Sequence, residues 1–336
     1  MRKILAIKNR RLGDTALWTA ALEALHDFTG NKIDIAYPAP YASLFDSDPR
    51  IDKQYHLAPN ISSNLKLLKK IREVKYDAVL SFHASRQTEM FVRFSRGKKL
   101  LVHHHGRAAR PNSLSKEIPN IGLPMSAIER DLNVVRGLGW NSQSPAPRLW
   151  VGPIYKSQGE QLLTPCLKSS MKKLAIHVGA SRRSKQWSLE YFVSLTRLLG
   201  EQFEVIVLYD SPPTSLLWDC LEKSSHLIHT PDLPSLIGCL TWMDGFIGAD
   251  SGVKHIAAAL GIPTITLFGP ESVGEWHGYD LKKHRAIQAP VGCRDQNLEN
   301  PEYAWCGAEV CPLASHACMS QITPEQVAAE ALAFFY

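Results

Sequence analysis

The stretch Gly245 to Pro270, GFIGADSGVKHIAAALGIPTITLFGP, constrains the fold of this chain more than any other. The apolar Phe246-Ile247-Gly248 runs into a polar turn, Asp250-Ser251-Gly252. A helix of small residues follows, Val253 to Leu260, stopped by Gly261 and Pro263, and a β-branched strand, Thr264 to Phe268, closes the unit. Strand, turn, helix, strand is one parallel βαβ unit. In open parallel sheets the turn at the end of the first strand is where ligands sit, because the helix start offers unpaired N–H groups and the positive end of its dipole. Gly252 lets a phosphate approach the backbone, and His255, one turn in, points back over the same turn. Asp250 and Ser251 suit simple capping of the helix just as well. Spacing alone leaves both readings open.

The rest of the chain repeats this alternation. Lys3 to Lys8, Ile33 to Tyr37, Ala78 to His83 and Lys99 to His103 read as strands, and Thr15 to Phe28, Ile61 to Val74, Gln87 to Ser95 and Leu132 to Leu138 as helical segments. Trp140 to Thr164 changes character, with Pro145, Pro147 and Pro153 and weak periodicity, and reads as edge structure and linker. A second series then begins: strands at Leu174 to Val178 and Glu204 to Tyr209, and helices at Leu189 to Leu199, Ser215 to Lys223 and Leu233 to Trp242, ahead of the βαβ unit. The expectation is an α/β protein of two doubly wound domains, 1–164 and 165–322, with a last helix at 323–336 returning to the first domain. Two such domains are expected to face each other across a cleft, the carboxyl ends of both sheets turned toward it.

Composition narrows the function. The 336 residues are 45% hydrophobic and 21% charged, as in ordinary globular proteins, and the net charge of +6 favours an anionic partner or membrane surface. Lys and Arg are scattered, with no helix-turn-helix or finger spacing, so nucleic acid is not expected. No run approaches the roughly 18 apolar residues of a membrane span, and Ile4 to Ile7 is too short for a signal-peptide core, so the expected location is the cytosol. Seven cysteines, an odd count, argue against a disulfide framework.

Three other places offer chemistry. The first βα turn, Asn9-Arg10-Arg11-Leu12-Gly13-Asp14, has one glycine and so lacks the dinucleotide fingerprint. Its Asp14 is either a first-turn acid of the helix or a carboxylate able to take a proton from a hydroxyl. The loop Gly179-Ala180-Ser181-Arg182-Arg183-Ser184-Lys185, before the N-cap Ser188, suits a diphosphate lying across it, with Lys185 neutralising a leaving phosphate. The plain alternative is a solvated basic loop. Lastly, Cys293, Cys306, Cys311 and Cys318 fall in one irregular stretch with His316. They are either ligands of a structural zinc or iron or buried free thiols.

Taken together, these residues resemble glycosyltransferase family 9, the ADP-heptose:lipopolysaccharide heptosyltransferases. Four blocks carry the resemblance: KNRRLGDTALWTAALEAL, GASRRSKQWSLEYFVSLTRLL, GADSGVKHIAAALGIPTITLFGP and CMSQITPEQV. It implies a GT-B fold and transfer of a heptose from ADP-heptose to a lipopolysaccharide inner-core acceptor, with inversion and no required metal or other cofactor. It implies Asp14 as catalytic base, Ser181 and Lys185 as contacts to the nucleotide-sugar phosphates, and Asp250, Ser251, Gly252 and His255 as the donor-binding turn. Arg10 and Arg11 depart from the small polar residues common before this Leu-Gly-Asp, and either reach an acceptor phosphate or crowd the base. Asp210, after the second strand of the second series, is a candidate ribose or base contact. The run His103-His104-His105 with Arg107 and Arg110 is expected to be a basic loop facing an anionic acceptor, and the same preference suits visits to the inner membrane face. Two alternatives share the architecture: a protein-modifying heptosyltransferase, kept open by the cysteine stretch, and a sugar-nucleotide 2-epimerase.

Overall fold

The computed structural model describes all residues except 2, 61, 104–115, 119–124, 212–216 and 295–302, and only the backbone of 116–118. The chain divides into two units, Met1–Trp150 and Val151–Tyr336.

In the first unit the elements run β1 (Ile4–Ile7), α1 (Leu12–Leu17), α2 (Thr19–Thr29), β2 (Ile33–Pro38), β3 (Ile51–Leu57), α3 (Leu65–Glu73), β4 (Ala78–Ser81), α4 (Arg86–Phe94), β5 (Lys99–His103), β6 (Lys116–Ile118) and α5 (Ala127–Arg136). All strand pairs are parallel and the order across the sheet is β3-β2-β1-β4-β5-β6. The order reverses between β1 and β4, so the chain leaves these two neighbours in opposite directions and a crevice opens at their carboxyl ends. The central strands β1 and β4 are wholly buried, as their apolar runs require. The expected single helix from Thr15 to Phe28 is two helices, α1 and α2, meeting at the fully buried Trp18.

The second unit runs α6 (Pro153–Leu163), β7 (Lys173–His177), α7 (Leu189–Leu199), β8 (Glu204–Tyr209), α8 (Leu217–Glu222), β9 (His226–His229), α9 (Leu233–Leu240), β10 (Gly245–Ala249), α10 (Gly252–Ala259), β11 (Thr264–Phe268), α11 (Val273–Trp276), β12 (His284–Gln288), α12 (Ala317–Ser320) and α13 (Pro324–Phe335). Its sheet, also parallel, has the order β12-β11-β10-β7-β8-β9. This is the same winding as in the first unit, with its reversal between β7 and β10. The βαβ unit expected from Gly245 to Pro270 is β10, α10 and β11, in register from Phe246 opposite Thr264.

Two expectations about domain limits are corrected. The division falls after Trp150 rather than after Thr164, because 153–163 is a helix of the second unit and not a linker. Gly159 of α6 lies on Gly238 of α9 so closely that a Cβ on Gly159 would stand 2.1 Å from the Gly238 carbonyl carbon. A helix that packs through a glycine and buries little else shows no apolar stripe, which is why the sequence reads as irregular there. The last helix, α13, also joins the second unit and not the first. Val327, Ala328, Ala331 and Phe335 lie in the core with Leu174 and Phe203, and the Phe335 ring fills the space above Gly245, where a Cβ would stand 2.8 Å from it.

Candidate functional site

Both candidate sites lie at the reversal points of the two sheets. In the second unit these are the loops after β7 and β10. Asp250 directly follows β10 and is 4% exposed. It does not cap α10. Ser251 is the residue at the cap position, and its side chain accepts no hydrogen bond from the helix. Its hydroxyl is buried without a partner among the described residues. Gly252 is the first residue of α10. The α10 start therefore presents an uncapped set of amides beside an unused hydroxyl, a combination that a phosphate oxygen satisfies.

The Asp250 carboxylate instead gathers cations. Lys254 Nζ donates to Oδ1 at 3.1 Å, and Lys185 Nζ donates to Oδ2 at 2.8 Å and to the Asp250 carbonyl at 3.3 Å. Lys185 also meets Glu271 at 3.2 Å, and Arg182 pairs with the same Glu271 oxygen. Lys185 is thus no solvated cation; it is fixed between two carboxylates at 12% exposure. Three cations face two carboxylates here, so the cluster keeps a net positive charge for an anion. Burial raises the cost of ionising Asp250, but Lys254 and Lys185 outweigh it and hold the carboxyl well below its usual range. Lys254, wholly buried, donates a second bond to the Trp276 carbonyl at 2.8 Å and lies 4.7 Å from the Phe268 ring centre. Burial brings its pKa down to about 8; Asp250 opposes that shift and Lys185 adds to it. The pair is asymmetric because the aspartate has several cations and the lysine has one carboxylate and a like charge nearby.

His255 is buried and its pKa is pushed well down by burial and then by Lys254, so the ring is neutral at pH 7. The Tyr279 phenol, whose pKa burial raises, stands 2.5 Å from Nδ1. Tyr279 is therefore the donor and Nδ1 the acceptor, which leaves the hydrogen on Nε2, facing Asp250 at 3.8 Å. Ser181 is exposed on the loop after β7. Asp210 follows β8; its carbonyl accepts from His229 Nε2 at 3.0 Å, and its charge acts on His177, which burial nonetheless holds at about 4.

The cysteine stretch backs this site. The Ser184 amide donates to the Glu309 carbonyl at 3.0 Å, its hydroxyl to the Ala308 carbonyl at 2.7 Å, and its own carbonyl accepts from His316 Nε2 at 2.8 Å. The loop that carries Lys185 is pinned to residues 308–316 through one serine. Cys293, Cys306, Cys311 and Cys318 line a single cavity of about 60 Å³ together with Arg294 and His316. All seven cysteines are free thiols. Among the described residues no three His, Cys, Asp or Glu side chains are placed to hold a metal ion, and His316 is already committed to Ser184. A larger concavity, about 490 Å³, opens along the start of α7 between Trp187 and Met319, but Lys185, Asp250 and Ser251 do not line it.

In the first unit the loops after β1 and β4 meet at Asp14. It lies in the first turn of α1, where a negative side chain is favoured, and is 6% exposed. Arg10 Nε donates to its Oδ1 at 3.3 Å, and an Arg130 nitrogen lies 3.9 Å from the same oxygen. Arg10 thus sits against the carboxylate, while Arg11 is the exposed residue preceding α1, its carbonyl accepting from Thr15. Beneath them Lys8 and Asp131 form a fully buried pair at 2.6 and 2.7 Å. Burial works against both charges, lowering the lysine and raising the aspartate, and their contact offsets it. His83, just after β4, is held neutral, at about 3, by burial and then by Arg10 and Lys8. Sequence reasoning missed Lys8, His83, Arg130 and Asp131 here, and Lys254, Glu271 and Tyr279 in the second unit. His103 ends β5 and is buried, which removes it from the expected acceptor loop; 104–115 lie outside the described residues.

The sequence profile of Glycosyltransferase family 9 (heptosyltransferase) matches residues 64–302, well over half of the chain. The chain belongs to this family. Asp14 precedes the matched range, whereas the second-unit cluster from Arg182 to Tyr279 lies inside it. The family-9 chain is 24% identical over 173 residues to lipooligosaccharide heptosyltransferase 2 of Campylobacter jejuni, covering 49% of this chain and 52% of that one. It therefore spans about half the length of that relative. Against lipopolysaccharide heptosyltransferase 3 of Escherichia coli the identity is 24% over 318 residues, 87% and 91% of the two chains. The fold is that of solved GT-B relatives. A family 9 glycosyl transferase from Veillonella parvula superposes with a TM-score of 0.83 at 16% identity, over 99% of this chain and 97% of that one. An Escherichia coli heptosyltransferase solved with ADP-2-deoxy-2-fluoro heptose gives 0.69 at 18%, over 99% of both.

Proposed function

We propose that this family-9 chain transfers a heptose, with inversion, from ADP-heptose to a lipopolysaccharide inner-core acceptor. The observation that carries the reading is the uncapped α10 start, where the buried Ser251 hydroxyl has no partner among the described residues and directly follows Asp250, to which Lys185 is bound. A diphosphate supplies what these groups lack. The ADP-2-deoxy-2-fluoro heptose of the Escherichia coli relative supports this class of donor.

The chemistry follows from the two clusters. The acceptor hydroxyl gives its proton to the Asp14 carboxylate, which Arg10 and Arg130 approach at Oδ1. The acceptor oxygen bonds to the anomeric carbon as the bond from that carbon to the diphosphate oxygen breaks. The electron pair leaves with ADP, and attack from the opposite face inverts the centre. The charge that develops on the leaving diphosphate meets the α10 amides, Ser251 and Lys185, groups already in place before the reaction. These cations assign no metal to the chemical step, so a chelator should leave the transfer rate unchanged; loss of activity on chelation, restored by a divalent ion, would contradict that assignment.

The test is mass spectrometry of products from ADP-heptose and a set of truncated core acceptors. One acceptor should gain one heptose. No gain on any acceptor, or a thermal shift with UDP larger than with ADP, overturns the reading.

A further inference from the structure

The positive charge of this chain is concentrated in one place. Between Ser62 and His103 stand ten Lys and Arg against three carboxylates, a surplus of seven, while the whole chain carries +6. Everything outside that stretch is close to neutral. The sheet order explains what this does in space. α3 leads from β3 to β4 and α4 from β4 to β5, both in the direction opposite to the β1-to-β2 crossover, so right-handed connections lay them on the face away from α2 and α5. The two helices pack on each other. Leu68, Ile71, Phe91 and Val92 turn inward to the core. Lys66, Lys69, Lys70, Arg72, Arg93 and Arg96 are exposed.

Two features set this face apart from an ordinary solvated one. Large apolar side chains stand among the cations: Leu65 is 58% exposed and Phe94 48%. In addition, the second residue after each helix is a cation in left-handed backbone, Lys75 at φ 55° and Arg96 at φ 62°. Glycine is the usual residue there, and Gly97 stands next to Arg96 in the sequence. A helix dipole is served equally well by a cation inside the last turn, so it does not explain the choice.

We propose that the α3–α4 face docks the protein on an anionic lipid bilayer. The lysines and arginines meet the headgroup phosphates, and Leu65 and Phe94 enter the boundary below them. Duplex nucleic acid has the phosphates, but its bases are stacked inside and it offers no apolar layer for Leu65 and Phe94. The inference rests on the heptosyltransferase reading in one respect, that the acceptor is lipid-borne. No described helix is long and apolar enough to cross a membrane, so docking takes place from the surface.

The experiment is co-sedimentation of the full chain with vesicles of phosphatidylcholine alone or mixed with phosphatidylglycerol. The protein should bind the mixed vesicles, less so as salt rises, and leave pure phosphatidylcholine unbound. Each lysine is worth about fivefold in partitioning, so K66Q/K69Q/K70Q should lose about a hundredfold. L65S/F94S should lose several-fold with the charge unchanged. The same charge change elsewhere, K168Q/K223Q/K283Q, should leave binding near the wild-type level. Equal binding to both vesicles, equal loss in the two triple variants, or displacement of the vesicles by duplex DNA that binds more tightly overturns the proposal. A water-soluble, delipidated core acceptor separates the two readings. The K66Q/K69Q/K70Q variant should match the wild-type transfer rate on it, and a slower variant assigns these lysines to the active site instead. Should neither protein transfer, the functional reading fails and the vesicles alone decide the docking.

Discussion

Asp250 is the residue on which the second-unit site is assembled, because one buried carboxylate holds Lys185 and Lys254 and faces His255. Removing its charge strands the fully buried Lys254 and leaves Lys185 with Glu271 alone. D250N should therefore lower stability by about 3–5 kcal/mol, read as a fall in Tm on the order of 10 °C. A Tm within a degree or two would show that the cluster is not held by this carboxylate. Lys254 gives a second prediction, with two signs. Its pKa is about 8 in the folded chain, against an ordinary lysine value of about 10.4. Above pH 8 the folded state releases a proton that the unfolded state still binds, so stability should rise with pH between these values. Donor affinity should move the other way, because the site loses a positive charge. An ammonium roughly 10 Å from a diphosphate is worth on the order of 1–2 kcal/mol, so the Kd for ADP should rise about tenfold between pH 7 and the alkaline side. Calorimetry across that range checks it, and K254Q should show no such step. Neither Lys254 nor Lys8 stands out in the sequence: a lysine among alanines or at a strand end reads as solvated, and only the partner contributed by a distant element makes it part of a site.

Central elements were legible and peripheral ones were not. β1, β4, β7 and β10 are continuous apolar runs because both faces of the strand are covered, and that pattern survives in the sequence. The edge strands β3, β9 and β12 mix polar with apolar residues, as in His226-Leu227-Ile228-His229, and so show no continuous apolar run. The turn after β10 was legible because Asp250, Ser251 and Gly252 follow one another, but its division of labour was not. Asp250 serves the cations while the Ser251 hydroxyl is left without a partner among the described residues, which depends on Lys185 arriving from the loop after β7. The helix pair α6–α9 is the element whose cause lies in two glycines. A Cβ on Gly238 would stand 2.1 Å from the Tyr155 carbonyl oxygen. G238A should push the helices apart at a cost of about 1–3 kcal/mol or more in urea unfolding. An unchanged midpoint would mean that α6 is not packed there in solution.

At the scale of the whole molecule, two units with the same winding hold different chemistry at the same topological place. The reversal point of the first unit carries a carboxylate beside guanidinium groups over a buried Lys8–Asp131 pair. That of the second carries an uncapped helix start within a net positive cluster. The central claim is that the donor diphosphate belongs to the second unit alone and that Asp14 acts only on the acceptor. Calorimetric titration of ADP into the full chain tests it most directly. S251A and K185M should each weaken ADP about tenfold or more, as expected for losing a buried hydrogen bond or a charge-assisted one, and D14N should bind ADP as the wild type does. Unchanged affinity in both second-unit variants, or a comparable loss in D14N, would contradict the account.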